Sequence, residues 1–496
     1  MPVDAPDHAR SRLAFTLLGV FAATVVFHAV MLPMVETGGD AVEGWFFVKK
    51  LSWGYDITER EWNHRTVRFG ILGPAYAAVT LLGTRPWVYY VAPLLSSGIA
   101  AALLFHLTDR RLGRVAAWVA AAAFCLLPQI HLVAAQQKPS IFSIVYLLAC
   151  ANALAAFGDT KRHLHLVLAG VWLFFAYWTK VPNLFFVPGL AAVLLAEGGR
   201  AKQALVFGGT ALVLIAAENG AHVWAGQEYG RLGYMLHKHF TSAALEPTDV
   251  LGLFERYTQL RGAWAVLFGT YLIAVATSIV RREALGPFER ALVVLSVGFF
   301  VCTTFAVKSL DPLVPAQPMR DRYLTVAVPW MLLTVLVAAR ALLAKHTVPA
   351  ARWLLPTAIG VAALGRLATH RVPMREHPLR ILPAYEATFR DAFEDGRPVF
   401  ASESRKPLRV ARNLLWDPAL NHDGKALPII RWVKGEPQYW HLVDETRWQA
   451  ERPRSRRRAV RGWRGESHLE AYRIIEEEDG KFITDLFRLR TAPIPR

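Results

Sequence analysis

Long apolar runs alternate with short charged stretches along this chain, and that alternation constrains the fold more than any other feature. An α-helix rises about 1.5 Å per residue, so roughly 20 apolar residues span the hydrocarbon core of a bilayer. Runs of about that length lie at 13–35, 87–107, 115–135, 140–157, 164–179, 183–196, 204–224, 263–280, 291–307, 323–343 and 349–367. They predict a polytopic α-helical membrane protein with about eleven transmembrane helices in residues 1–369. From about His370 no such run occurs, and residues 370–496 read as a small soluble α/β domain. With 54% hydrophobic and 19% charged residues, the chain is neither disordered, collagen-like nor a disulfide framework, and it is not a single soluble enzyme domain. All three cysteines, Cys125, Cys150 and Cys302, sit within apolar runs, so no extracytoplasmic disulfide is implied.

The formal charge of +17 helps to orient the spans. Arg10 and Arg12 precede the first run and place the N-terminus in the cytoplasm. Alternate loops then carry the basic residues expected of cytoplasmic segments. These are Arg110, Arg111 and Arg114; Lys161 and Arg162; Arg200 and Lys202; Arg281, Arg282 and Arg290; and Arg340, Lys345 and Arg352. An odd number of spans puts the C-terminal domain outside, in the periplasm of a bacterial inner membrane. The fairly apolar segment 67–82 would reverse every later loop if it crossed. It is therefore read as a helix lying on or dipping into the outer leaflet, within a first outer loop at 36–86. The first run is longer than a signal-peptide core and no convincing cleavage site follows it.

On this topology the outer face concentrates the chemistry. The first outer loop begins ETGGDAVEGW, with Asp40 directly after two glycines and Glu43 three residues on. A carboxylate at a membrane surface suits general-base work on a hydroxyl, and Asp40 and Glu43 are the catalytic candidates. The same Gly-Gly-Asp also serves as a turn and helix cap. A second segment, KSLDPLVPAQPMRDRYLTVAVP, brings Arg320, Arg322 and Tyr323 to the start of a late span. Paired guanidinium groups there can bind a phosphate bidentately or anchor the helix end at headgroups. Lys180, Lys138 and Lys308 are further phosphate candidates. Glu218 and His222, late in the seventh span, suit either a site or helix packing. The loop 226–262 holds His237, Lys238, His239, Glu246, Asp249 and Glu255, whose spacing makes no convincing metal pattern.

The motifs GGDAVEGW, HRTVRFGILGPAYAAVTLLG, PLLSS, DRRLGR, the TK of WTKVPN and RYLTVAVP are each loose alone. In their order and spacing the chain resembles the GT-C superfamily of polytopic glycosyltransferases. The likeness is to the branch holding protein O-mannosyltransferases and the bacterial transferases that modify lipid A with aminoarabinose. It covers residues 13 to about 367. The resemblance implies transfer of a sugar, with inversion, from a polyprenyl-phosphate donor to a hydroxyl acceptor on a glycolipid, glycan or protein. It maps an acceptor-activating aspartate onto Asp40. It maps donor-phosphate contacts onto Arg322 and Tyr323, with Arg320 as a neighbour. Family members tend to carry a second acidic residue between the third and fourth spans. Here that loop reads Gln136, Gln137, Lys138, Pro139, which disfavours a metal-bridged site and leaves Lys138 as a phosphate contact. No cofactor is expected, because the leaving group is already a phosphate and a divalent metal is not strictly required.

In the tail, 398–401 and 481–487 read as strands and 408–415 as a helix. The basic run Arg452 to Arg464 suits anionic headgroups or an acidic glycan outside the membrane, or a solvated loop, and no nucleic-acid partner is expected. Two other classes remain open. A transporter or flippase would also be polytopic, but it usually shows internal repeats and charged or broken helices at the midplane, and no repeat is visible here. The second class is a non-catalytic scaffold that kept the fold.

Overall fold

A computed structural model describes residues 5–32, 40–52, 54, 67–226, 230–233, 236, 248–310, 313–315 and 321–343, together with five strands between 399 and 490. The membrane portion is helical: α1 (Ala5–Val30), α2 (Asp40–Ser52), α3 (Phe69–Leu82), α4 (Val91–Leu112), α5 (Arg114–Leu126), α6 (Pro128–Ala134), α7 (Pro139–Thr160), α8 (His163–Thr179), α9 (Val187–Ala196) and α10 (Ala201–Trp224). After them come α11 (Val250–Thr258), α12 (Ala263–Val280), α13 (Pro287–Thr304), the short α14 (Asp321–Leu324) and α15 (Val328–Leu343). Among the described residues, seven helical segments are long and apolar enough to cross a bilayer: Ser11–Val30, Pro86–Leu112, Pro139–Thr160, Ala201–Trp224, Ala263–Val280, Pro287–Thr304 and Thr325–Leu342. The chain is a polytopic integral membrane protein. The expected span at 349–367 lies outside the described residues.

Two of the expected spans take a different form. The run 115–135 is not one helix: α5 and α6 meet at a bend of 67°. Pro128 is the cause. It disfavours helical geometry at the preceding residue, and Leu127 is extended, with φ −69° and ψ 126°. The run 183–196 starts as a 3-10 turn, Val181–Phe186, before α9, with a proline at the start of each piece. Both α8 and the Val181–Ala196 stretch are shorter than a full span. Helix α3 has 14 residues, about 21 Å of rise, which is too short for a hydrocarbon core of about 30 Å. That length fits a helix lying along the interface.

Small residues bring the helices together. Side chains of α1 close over Gly98 of α4, where an added Cβ would stand 2.6 Å from the Phe21 ring and 2.7 Å from Val25. Gly189 of α9 faces the backbone of Leu295 in α13. Stacked Phe186 and Phe299, 4.3 Å apart, extend that contact, with Trp330 of α15 at 6.0 Å from Phe186. Some polar side chains inside the bundle tie helices together by hydrogen bonds. Asn152 of α7 donates to the carbonyls of Leu103 at 3.0 Å and Leu148 at 2.8 Å, and its Oδ1 meets His106 Nδ1 at 2.7 Å.

At one end of the bundle, basic residues from separate loops share carboxylates. Arg110 and Arg111 both pair with Asp159, and Arg111 also reaches Glu197 at 2.7 Å. Lys161 donates to the Glu197 carbonyl at 2.5 Å, and Arg340 pairs with Glu289 at 3.1 Å. Burial pushes the Glu197 carboxyl up, and Arg111 pulls it back. Because α7 ends at this cluster, its start at Lys138 lies at the opposite end of the bundle, about 33 Å of helix away.

Strands β1 (Val307–Leu310) and β2 (Leu313–Pro315) form an antiparallel hairpin after α13. The remaining strands are β3 (Val399–Ala401), β4 (Ile429–Arg431), β5 (Trp440–Asp444), β6 (Glu470–Arg473) and β7 (Leu486–Arg490). They make one mixed sheet in the order β4-β3-β5-β7-β6, with β3 parallel to both neighbours and β7 antiparallel to both of its own. The string 398–401 contains β3, and β7 takes in Phe487 from 481–487. The helix expected at 408–415 and the basic run 452–464 lie outside the described residues.

The packing of Gly189 is directly testable. Gly189→Ala forces a Cβ onto the Leu295 backbone and is expected to destabilise the protein by about 1–3 kcal/mol. Gly208→Ala, where an added Cβ meets nothing within 4 Å, is expected to be neutral or to gain up to about 1 kcal/mol of helix stability. Thermal unfolding of the two purified variants in detergent checks the contrast.

Candidate functional site at the end of the bundle opposite the ion cluster

The sequence between α8 and α9 holds Lys180 by its backbone. Lys180 is extended, with φ −158° and ψ 118°, between the end of α8 and the 3-10 turn that starts at Val181. Its N–H donates to the Ala176 carbonyl at 3.0 Å, and its own carbonyl accepts from Asn183 N–H at 2.9 Å. Asn183 is buried and donates through Nδ2 to Ser143 Oγ and to the Ala176 carbonyl, each at 2.7 Å. Ser143 lies on α7 five residues after Lys138, about 7.5 Å of rise. Lys180 and Lys138 therefore stand at the same end of neighbouring helices. Lys138 is the N-cap residue of α7, with φ −96° and ψ 150°.

The late segment arrives at the same place. Lys180 Nζ lies 4.0 Å from the centroid of the Tyr323 ring, a cation-π contact. Tyr323 belongs to α14, and the 3-10 turn Thr325–Ala327 that follows packs against α7. Arg322 is its neighbour on the same short helix. Arg320 and the side chain of Arg322 lie outside the described residues. Lys308 is half-buried on β1, at the register shift between Val307 and Ser309.

Helix α2 reaches this end through aromatic rings. Asp40 is the first residue of α2 and Glu43 the fourth, on the first turn, where the helix dipole favours negative charge. Their side chains lie outside the described residues. Five residues on, fully buried Trp45 packs edge-on against Tyr89 with ring centroids 5.7 Å apart. Tyr89 in turn holds the turn that precedes α7. Its hydroxyl accepts from Gln137 N–H at 3.3 Å, and its carbonyl accepts from Gln137 Nε2 at 3.0 Å. Asp40 and Lys138 are thus linked by one short chain of contacts.

Arg231 is the residue that sequence reasoning missed. It is 3% exposed and donates to the carbonyls of Val67 at 3.1 Å and Thr179 at 2.9 Å. It therefore ties the loop after α10 both to the lead-in of α3 and to the residue before Lys180. Burial, with Arg68 nearby, pushes its guanidinium down to about 9, so it remains a cation at neutral pH. Nothing in the sequence set it apart from the other basic residues between 226 and 262. Glu218 accepts from Tyr177 Oη at 3.1 Å and Asn219 Nδ2 at 2.8 Å, and pairs with His222 at 3.0 Å. This network joins α8 to α10, which favours the helix-packing reading of Glu218 and His222. Asp249 caps α11, its Oδ1 accepting from Gly252 N–H at 2.6 Å. His237, Lys238, His239 and Glu246 lie outside the described residues. Among the described residues, no three His, Cys, Asp or Glu gather as metal ligands.

Residues 75–219 match the model of the dolichyl-phosphate-mannose-protein mannosyltransferase family. No curated protein matches the chain. Among solved structures, ArnT from Cupriavidus metallidurans bound to undecaprenyl phosphate aligns over 98% of this chain and 98% of its own, at 12% identity and a TM-score of 0.51. The apo form of that ArnT aligns over 96% and 98%, at 12% identity and a TM-score of 0.49. The Archaeoglobus fulgidus oligosaccharyltransferase in complex with Zn and sulfate aligns over 80% of this chain and 61% of its own, at 12% identity and a TM-score of 0.45. A body of several apolar helices, a mannosyltransferase pattern over 75–219 and an alignment with ArnT along nearly the whole of both chains together show that this chain has the fold seen in ArnT, a glycosyltransferase fold of the GT-C type.

Proposed function

We propose that this protein is a membrane glycosyltransferase that moves a hexosyl or pentosyl group from a polyprenyl-phosphate donor to a hydroxyl acceptor, with inversion. The observation that carries the reading is the meeting of Lys180 with Tyr323, at the bundle end that also holds Lys138. A cation on an aromatic face beside a second lysine suits an anionic headgroup that enters from the membrane interface. ArnT, which shares the fold, has been captured with undecaprenyl phosphate. The reaction is placed on the outer face of a bacterial inner membrane, with the N-terminus cytoplasmic and residues 370–496 extracytoplasmic.

The step is a direct displacement. The acceptor hydroxyl oxygen forms a bond to the anomeric carbon as the bond from that carbon to the phosphate oxygen breaks. The hydroxyl proton passes to the carboxylate of Asp40, with Glu43 one turn along the same helix. The electron pair of the broken bond leaves on polyprenyl phosphate. Arg320, Arg322, Lys180, Lys138 and Lys308 stabilise the negative charge that grows there, and Tyr323 donates to or packs against the same phosphate. Positive charge near a desolvated phosphate has its largest effect as the leaving group separates. The acceptor is a glycolipid, glycan or protein hydroxyl. Arg231 acts at one remove, holding the carbonyl beside Lys180.

Two measurements test this. Membranes containing the wild-type protein are expected to release polyprenyl phosphate from a labelled lipid-linked sugar. Asp40→Asn is expected to slow release by about 10²–10⁴-fold, and Arg322→Ala by about 10²–10³-fold. Normal transfer by both correctly inserted variants overturns the assignment, and absence of any release by the wild type across acceptors points to a transporter or scaffold. Arg231→Ala leaves two buried carbonyls without their donor and is expected to cost about 1–3 kcal/mol of stability. It is also expected to raise KM for the donor more than it lowers kcat, while Arg231→Lys recovers part of both.

A further inference from the structure

The turn between α6 and α7 carries buried amide groups that the described residues leave without hydrogen bonds. Gln136 is 1% exposed, and neither its Oε1 nor its Nε2 has a partner among the described residues. Gln137 is 3% exposed, and while its Nε2 donates to Tyr89, its Oε1 has none. The indole Nε1 of Trp45, which packs on Tyr89, is likewise without a partner among the described residues. The backbone of the turn is tightly held: Gln136 N–H donates to the Val133 carbonyl at 3.3 Å, and Lys138 N–H to the Gln136 carbonyl at 2.6 Å.

Buried polar groups are nearly always paired, and each unpaired one is destabilising. Several together, on a turn whose backbone bonds are already made, mark a place where a ligand supplies the missing partners. The position fits that reading. The turn ends in Lys138, on the side assigned to the donor phosphate, and Trp45 sits on the helix that begins with Asp40. The group being transferred must lie between the phosphate and the base. The chemistry is also selective. The cluster offers amide oxygens as acceptors and amide and indole N–H groups as donors, with no formal charge. Its complement is a set of neutral hydroxyls, each of which both donates and accepts. An ammonium group would find no counter-charge in the cluster, and a carboxylate would face the amide oxygens.

We infer that Gln136, with Gln137 and Trp45, forms the subsite that hydrogen-bonds the hydroxyls of the transferred sugar, and that this sugar is neutral rather than an amino sugar or a uronic acid. The inference rests on the proposed transfer reaction.

The test uses the full-length protein in lipid nanodiscs. The probes are undecaprenyl phosphate, undecaprenyl phosphate bearing mannose, glucose or galactose, and the same carrier bearing 4-amino-4-deoxyarabinose. At least one neutral hexosyl carrier is expected to bind about tenfold more tightly than the bare carrier, the effect of one well-made hydrogen bond to a buried partner. Gln136→Leu is expected to abolish that difference without changing affinity for the bare carrier. The unliganded variant is expected to melt at or above the wild-type temperature, because leucine removes two unpaired polar groups. Gln136→Glu is expected to shift preference toward the amino-sugar carrier. Equal binding of bare and sugar-bearing carriers by the wild type overturns the inference. So does tightest binding of the amino-sugar carrier, or a Gln136→Leu variant that keeps the hexose preference. A marked loss of melting temperature in unliganded Gln136→Leu also overturns it, by showing that the amide is satisfied within the free protein. Failure of the wild type to bind even bare undecaprenyl phosphate counts instead against the transfer reaction, and the inference falls with it.

Discussion

A bilayer core offers no water to an unsatisfied amide or carbonyl, and the arrangement of this protein follows from that constraint. Where the chain stays helical, backbone groups pair within the helix. Where it breaks, the break sits beside another element that supplies partners. Lys180 leaves α8 in an extended conformation, and Asn183 and Arg231 donate to the peptide carbonyls of Ala176, Lys180 and Thr179 around it, with Ser143 accepting from Asn183. The turn before α7 is braced in the same manner by both polar ends of Tyr89. Asn152 does the same with its side chain, bridging α4 and α7 while bonding its own helix.

The broken helices are also where the chemistry gathers. A continuous helix cannot present backbone or a short polar side chain across a membrane interface, whereas a bend or an extended residue at its end can. Pro128 bends the α5–α6 pair and leads into Gln136 and Lys138, and Pro182 follows Lys180. The opposite end of the bundle has a different character. There Arg110, Arg111 and Arg340 pair with Asp159, Glu197 and Glu289, and Lys161 donates to the Glu197 carbonyl, so the charged side chains hold helices together. Ion pairs thus join the helices at that end, while proline-interrupted segments and polar side chains lie at the other.

The resemblance implied a departure in the third-to-fourth span connection, where glutamines replace an acidic residue. That departure gains meaning from burial. Two carboxylates buried side by side would repel one another or call for a cation, whereas amides can sit among tyrosine and tryptophan rings without charge. The neutral turn between α6 and α7 is therefore compatible with a site that handles an uncharged group next to a charged leaving group.

Much of this was legible in the linear order of residues. The free energy of moving an apolar side chain out of water is local and additive along a run, so the spans at 13–35, 140–157, 204–224 and 263–280 were visible without any knowledge of packing. The same is true of the short apolar helix at 69–82, and of Lys180, Lys138 and Tyr323 as polar residues at run ends. The bend at Leu127 was written in Pro128 but masked by the hydropathy of its neighbours, because hydropathy counts side chains and ignores a missing N–H. What tertiary structure alone decided is which distant residues meet. Lys180 reaches Tyr323, Trp45 reaches Tyr89 and through it Gln137, and Arg231 is drawn into the protein rather than left in its loop. These pairings depend on how small residues such as Gly98 and Gly189 let helices approach, a property of two surfaces together that no single stretch of sequence carries.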